Sequence, residues 1–221
     1  LICFVVVRAL VPLLLPTVLT QVAARYDLDA RYDKLDFNLL GGDVGIWNLR
    51  LLPRSGGEPV LSIGYCRGAV STLGLLKGRL DVERAEAEDT TLVVERFPDG
   101  SLPLVDRFFS TSDRNRSLPG DQPREIPLEP PLSIDILRLQ RAEARFVDRM
   151  VNPTTDVRFF LDVILMNIGK PDVQTVFSVQ LHSPQVLGAL YVEGQATSRD
   201  KLVNADLDLR MLGLNLQPLK T

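Results

Sequence analysis

Apolar and polar residues alternate with a period of two along most of this chain, most clearly from Leu132 to Gly169. Ile134 and Ile136 alternate with Ser133 and Asp135. The phase then slips, so that Leu137 and Leu139 alternate with Arg138 and Gln140, and Ala142, Ala144 and Phe146 resume the even phase. Val157, Phe159, Leu161, Val163 and Leu165 follow as one odd-numbered row. Period two marks a strand with one buried face, and a phase slip is the trace a β-bulge leaves in sequence. Asn152-Pro153 between the halves is turn chemistry, because a proline cannot donate into a central ladder. The stretch predicts a long, half-buried antiparallel hairpin.

The alternation recurs on both sides. Leu28 and Ala30, then Leu35, Phe37 and Leu39, alternate with charged or amide residues before the tight-turn signal Gly41-Gly42-Asp43. Val44 and Ile46 follow, then Trp47, Leu49 and Leu51, with Trp47 expected in the core. Val60 to Ile63 begins another strand, which Tyr65 to Val70 continues. Leu80, Val82, Ala85, Ala87, Leu92 and Val94 lead to the turn Phe97-Pro98-Asp99-Gly100 and a further strand toward Leu104. In that turn proline presets φ and glycine accepts a positive value. Val173, Thr175, Phe177, Val179 and Leu181 share a face, and the rows Leu190, Val192 and Gly194, then Ala205, Leu207 and Leu209, come after them.

Two stretches break the pattern. Residues 1–24 carry a single charge, Arg8, in a run of Leu and Val. A helix of about 20 apolar residues spans a bilayer, so this run is long enough for a transmembrane anchor. A cleaved signal peptide ending near Val22-Ala23-Ala24 and a buried core helix are the rival readings. Residues 106–131 hold Pro119, Pro123, Pro127, Pro130 and Pro131 and predict a loop or linker, with Asn115-Arg116-Ser117 a weak glycosylation match. The expected organisation is an anchor at 1–24, a first β unit at 25–105, the linker at 106–131 and a second β unit at 132–221, truncated or continuing. The fold class is mainly β: a transmembrane helix followed by a long, curved, antiparallel sheet, trough-like or sandwich-like.

Composition removes most chemistry. The chain has 221 residues, 45% of them hydrophobic, enough for a substantial core. With 25 Lys and Arg against 28 Asp and Glu, it lacks the basic field that nucleic acid requires. His182 is the only histidine, expected at the surface, and the two cysteines, Cys3 and Cys66, give no metal spacing and no disulfide framework. Glu83, Glu86, Glu88 and Asp89 read as a solvated strand face. Asp27, Asp29, Asp33, Asp36 and Asp43 lack the spacing of a calcium loop. The expectation is no enzyme, no cofactor and no metal.

The segment from Leu76 to Asp106, with Arg96, Asp99 and Gly100 at its turn, resembles the AsmA-like family of bacterial envelope proteins. Ile136 to Arg149 is similar to a strand of that family ending in an aromatic residue or Val followed by Asp, and Leu207 to Leu219 to its link between repeats. Pro103 stands where the family usually has an Asn-containing turn, and the Pro-rich insert is not a family requirement. The resemblance implies a single-pass protein of the bacterial inner membrane, its β-rich part in the periplasm, handling phospholipid in an apolar trough. Long strands with one apolar face agree with this, since a single layer cannot hide that face. The rows Phe159, Leu161, Val163, Leu165 and Phe177, Val179, Leu181 are the expected lipid lining. Membrane lipid is the expected partner. The alternative is a non-catalytic structural or accessory subunit of a larger membrane complex, with other membrane subunits as partners.

Overall fold

The computed structural model describes residues 16–17, 19–38, 43–71, 80–106, 132–170, 172–199 and 202–215. Ten strands carry most of them: β1 (Leu28–Arg31), β2 (Lys34–Asn38), β3 (Asp43–Pro53), β4 (Leu61–Val70), β5 (Leu80–Arg96), β6 (Leu132–Asp148), β7 (Thr155–Ile168), β8 (Thr175–Ser183), β9 (Leu187–Arg199) and β10 (Leu202–Leu214). They form one large, mixed, curved and open sheet in the order β1-β3-β4-β5-β6-β7-β8-β9-β10. β1 and β2 lie end to end along β3, so that edge is a single interrupted strand.

The all-antiparallel expectation needs one correction. β5 and β6 run parallel over their full length, from Leu80 beside Leu132 to Arg96 beside Asp148. Hairpins make antiparallel neighbours, whereas a parallel pair needs a crossover of about a dozen residues or more. The 97–131 segment supplies that length. Nor does a strand follow the turn at Phe97 to Gly100. Residues 103–106 form a helical turn, with Pro103 at its first position and the Asp106 amide donating to the Leu102 carbonyl at 2.9 Å.

Residues 1–15, most of the expected anchor, lie outside the described residues, as do 39–42, 72–79 and the linker at 107–131 with Asn115. Residues 19–25 are helical and end where the amides of Tyr26 and Asp27 donate to the carbonyls of Ala23 and Ala24. No helix among the described residues is long and apolar enough to cross a membrane.

The phase slips in the sequence line up across the sheet. Asp33, Asn48, Gly64, Asp89 and Arg141 occupy one transverse line through β1/β2, β3, β4, β5 and β6, and the apolar phase changes at each of them. Asn48, Asp89 and Arg141 have φ of 53°, 53° and 51°. Asn and Asp tolerate this left-handed conformation better than other side chains. Side chains pin the line: Asn48 Nδ2 donates to Asp33 Oδ2 at 2.8 Å, and Arg141 Nε to Asp89 Oδ1 at 2.7 Å. At its end the Arg141 amide donates to Asp162 Oδ1 of β7 at 2.8 Å, where two β6 residues oppose one on β7. The strands from β3 to β6 keep a one-to-one register through the line, and the only bulge on it among the described residues is between β6 and β7. The change of phase is made by matched left-handed residues that form one crease. Gly64 is required there, because a Cβ on it would lie 2.9 Å from the Asp89 Cβ. Gly64→Ala is expected to destabilise the protein by about 1–3 kcal/mol, read as a lower midpoint in urea unfolding; an unchanged midpoint would mean the crease yields freely.

Residues opposite one another across a sheet share a face, so the registers sort the side chains. One face is apolar from edge to edge. The other carries ion pairs: Arg67 with Asp43, Arg138 with Glu86, Arg141 with Glu88 and Asp89, Arg145 with Asp156, Arg149 with Glu95. Trp47 belongs to this second face, contrary to the expected core position. The left-handed Asn48 sets it opposite in phase to Leu49, and its ring lies 4.8 Å from that of Tyr65, with Lys34 Nζ 4.6 Å from its centroid. The slip between Ile136 and Leu137 is no bulge, since β6 and β7 keep one register through it. Ile134 and Ile136 instead join Val82, Met166 and Ile168 in a smaller apolar patch on the charged face.

Hydrogen bonds from arginine hold the carboxyls of Asp89, Asp156 and Asp208 below the ordinary Asp range, through Arg141, Arg145 and Arg210 respectively. A carboxyl with a depressed folded pKa contributes stability above its unfolded value of about 3.9 and loses it as pH falls through the folded value. Thermal midpoints are therefore expected to be flat from neutral pH to about 5 and to fall below about 4. Two of these pairs are exposed and the Arg145–Asp156 pair is about a third exposed, so solvent screens all three and each contributes little.

Candidate functional site

The candidate site is the apolar face, and pairing across the strands builds it. Leu161 lies opposite Leu181, Val163 opposite Val179 and Leu165 opposite Phe177. These rows continue to Leu190, Val192 and Gly194 on β9, then to Met211, Leu209 and Leu207 on β10. In the other direction they reach Ala142, Leu139 and Leu137 on β6, and Phe159 lies opposite Ala144. All seven lining residues named from the sequence thus stand on one face, and all seven are half-buried. Gly194 makes room within it: a Cβ there would clash with the Asp206 carbonyl oxygen and lie 2.8 Å from Phe177 Cζ.

The face is closed at one end, Ile46, Leu49, Thr90 and Ala142 are also buried on its β3–β6 rows, and elsewhere, from β7 to β10, it is half-buried to exposed. At the closed end Val157, Val186 and Leu187 form a buried cluster, with Phe159, Leu181 and Leu190 packed against it. Val157 and Leu28 are each 1% exposed. Along the middle rows the described strands pack against their sheet neighbours, and among the described residues no second sheet covers them. At the β10 edge Leu207 and Leu209 are 65% and 61% exposed.

The sequence reading did not single out the small residues. Gly68 and Ala85 lie side by side on this face, as do Cys66 and Ala87, then Thr90 and Ala142 one row beyond the crease, and then Ala144. In that order they shift from β4 and β5 to β5 and β6, so small side chains trace a diagonal furrow whose floor is buried at Thr90 and Ala142. Its flanks are the large side chains Ile46, Leu49 and Ile63 on one side and Leu137, Leu139 and Leu161 on the other. It runs into Phe146 and the buried Val157. Only the signal of small residues at the apolar phase of three different strands could have found it, and that requires knowing that β5 and β6 are parallel neighbours.

Burial pushes the Cys66 thiol up, against a smaller opposing effect of its hydrogen bond with the Ile46 backbone, so it is a poor nucleophile. Among the described residues no cluster of His, Cys, Asp and Glu is suited to a metal ion. His182 is exposed on β8 and stacks on Phe160 with ring centroids 4.9 Å apart. The chain matches no protein-family model and no curated protein sequence.

Proposed function

We propose that this protein is a lipid-handling module of the bacterial cell envelope. The apolar face takes the acyl chains of phospholipid, and the headgroup stays in water at the margin of the sheet. One observation carries the reading: an apolar face that crosses all the strands and is half-buried to exposed from the middle rows of β7 to β10, with no second sheet of described residues over it. An exposed apolar surface of this extent is costly in water and marks a binding surface. The apolar run at residues 1–24 supports an anchor in the inner membrane with the sheet in the periplasm, as does the resemblance to the AsmA-like family.

The second reading, an accessory subunit of a membrane complex, draws on the β10 edge. Its outer side is unpaired among the described residues, and a long apolar edge strand is a template for another chain. Native mass spectrometry of protein extracted from membranes separates the two. Phospholipid adducts on the single chain are expected for lipid handling. A stoichiometric protein partner without lipid would replace it with the accessory role.

A further inference from the structure

Thr90 is an anomaly on the floor of the furrow. Its register places it on the apolar face opposite Ile63, in line with Leu49 and next to Ala142. It is only 9% exposed, and its hydroxyl oxygen is buried without a hydrogen-bond partner. A buried hydroxyl that makes no bond carries a desolvation cost, and native proteins rarely leave one without a reason. It sits where the small floor passes from β4/β5 to β5/β6, one residue after the left-handed Asp89 of the crease.

We propose that the furrow seats one acyl chain of an ester lipid, and that Thr90 donates a hydrogen bond to the ester carbonyl. This rests on the lipid-handling reading and adds to it a position-setting contact. The furrow fits such a chain. From Ala85 to Leu92 it runs roughly 20 Å at about 3.3 Å per residue, and one leaflet's chain spans about 15 Å, half of a hydrocarbon core. The Thr90–Ala142 row offers no charged side chain of its own, so a carboxylate or phosphate pressed there would be buried unpaired. A neutral carbonyl oxygen brings no such penalty and supplies the acceptor that Thr90 lacks. The Thr90 hydroxyl is buried beneath its neighbours, so seating the carbonyl requires the half-buried Ile63 and Leu161 to turn aside, at the cost of a rotamer change.

The test uses the full chain in detergent and two phosphatidylcholines with equal chains, one ester-linked and one ether-linked, supplied in equal amounts and counted by native mass spectrometry. Wild-type protein is expected to favour the ester lipid about five- to tenfold, the worth of one neutral hydrogen bond. Thr90→Val removes the donor at nearly the same volume and is expected to bring the ratio to about one without loss of folding, since the deleted hydroxyl is unpaired. Thr90→Ser is expected to keep the preference. Equal uptake of both lipids by wild type, or an ester preference that survives in Thr90→Val, overturns the carbonyl contact while leaving lipid binding standing. If wild type takes up neither lipid, the lipid-handling reading fails and the contact falls with it.

Discussion

Leu161→Asp is expected to fold and to lose its lipid. Leu161 lies at the centre of the apolar face, between Ala142 of β6 and Leu181 of β8, and is half-buried. On an open face the new carboxylate keeps much of its water, so the cost is the lost apolar burial, on the order of 1–2 kcal/mol. That is a fraction of the roughly 5–15 kcal/mol by which domains are stable. An acyl chain crossing that position would meet a charge it cannot solvate. Circular dichroism should therefore report an unchanged strand signal, and lipid extraction from the same preparation should find the phospholipid gone. A folded variant that still carries lipid would remove this row from the lining, and an unfolded one would mean that the face is closed by another layer.

Val157→Asp, four residues earlier in the same row, is expected to do the opposite. Val157 is 1% exposed and packs with Val186 and Leu187 at the closed end. A carboxylate there has no water and no partner, and burying a polar group in that way costs several kcal/mol, comparable to the whole stability of the domain. The variant is expected to be largely unfolded or to fail to accumulate. The two substitutions introduce the same charge on the same strand face, so the difference between them measures where the sheet stops being a core and becomes a surface. Equal tolerance of both would mean that the Val157 cluster is not a core at all.

The strands were readable because period-two alternation is a local signal, and each apolar row on β7 and β8 appears in the sequence at the spacing it has in the sheet. The bulge at Gln140–Arg141 left its phase slip for the same reason. What alternation cannot encode is which strand lies beside which. The parallel pairing of β5 and β6 depends on a crossover of 35 residues (97–131), and nothing in either strand's own pattern distinguishes a parallel neighbour from an antiparallel one. The furrow was hidden with it, since Thr90 and Ala142 are far apart in the chain and adjacent only through that pairing. Trp47 went to the wrong face because the left-handed residue after it, Asn48, lets two neighbouring bulky residues point to opposite sides. The slip at Ile136 misled in the reverse direction. Both faces are apolar at that end, and a double-sided apolar strand imitates a change of phase.

The parallel pair also sets a timetable for synthesis. Each residue of β5 waits for a partner 52 positions further along the chain, as Arg96 does for Asp148. At about 5–20 residues per second the ribosome leaves β5 as a bare edge for some 3–10 s, long enough to meet another nascent chain. The edge is defended by its own charge. Asp81, Glu83, Glu86, Glu88, Asp89 and Glu95 outnumber Arg84 and Arg96 on β5, so two unfinished chains repel along the line where they would zip together. Arg138, Arg141 and Arg149, on β6 and just beyond it, take up Glu86, Glu88, Asp89 and Glu95 when they emerge. The acidic edge is an obstacle to every strand that lacks those arginines, and it admits the strand that carries them.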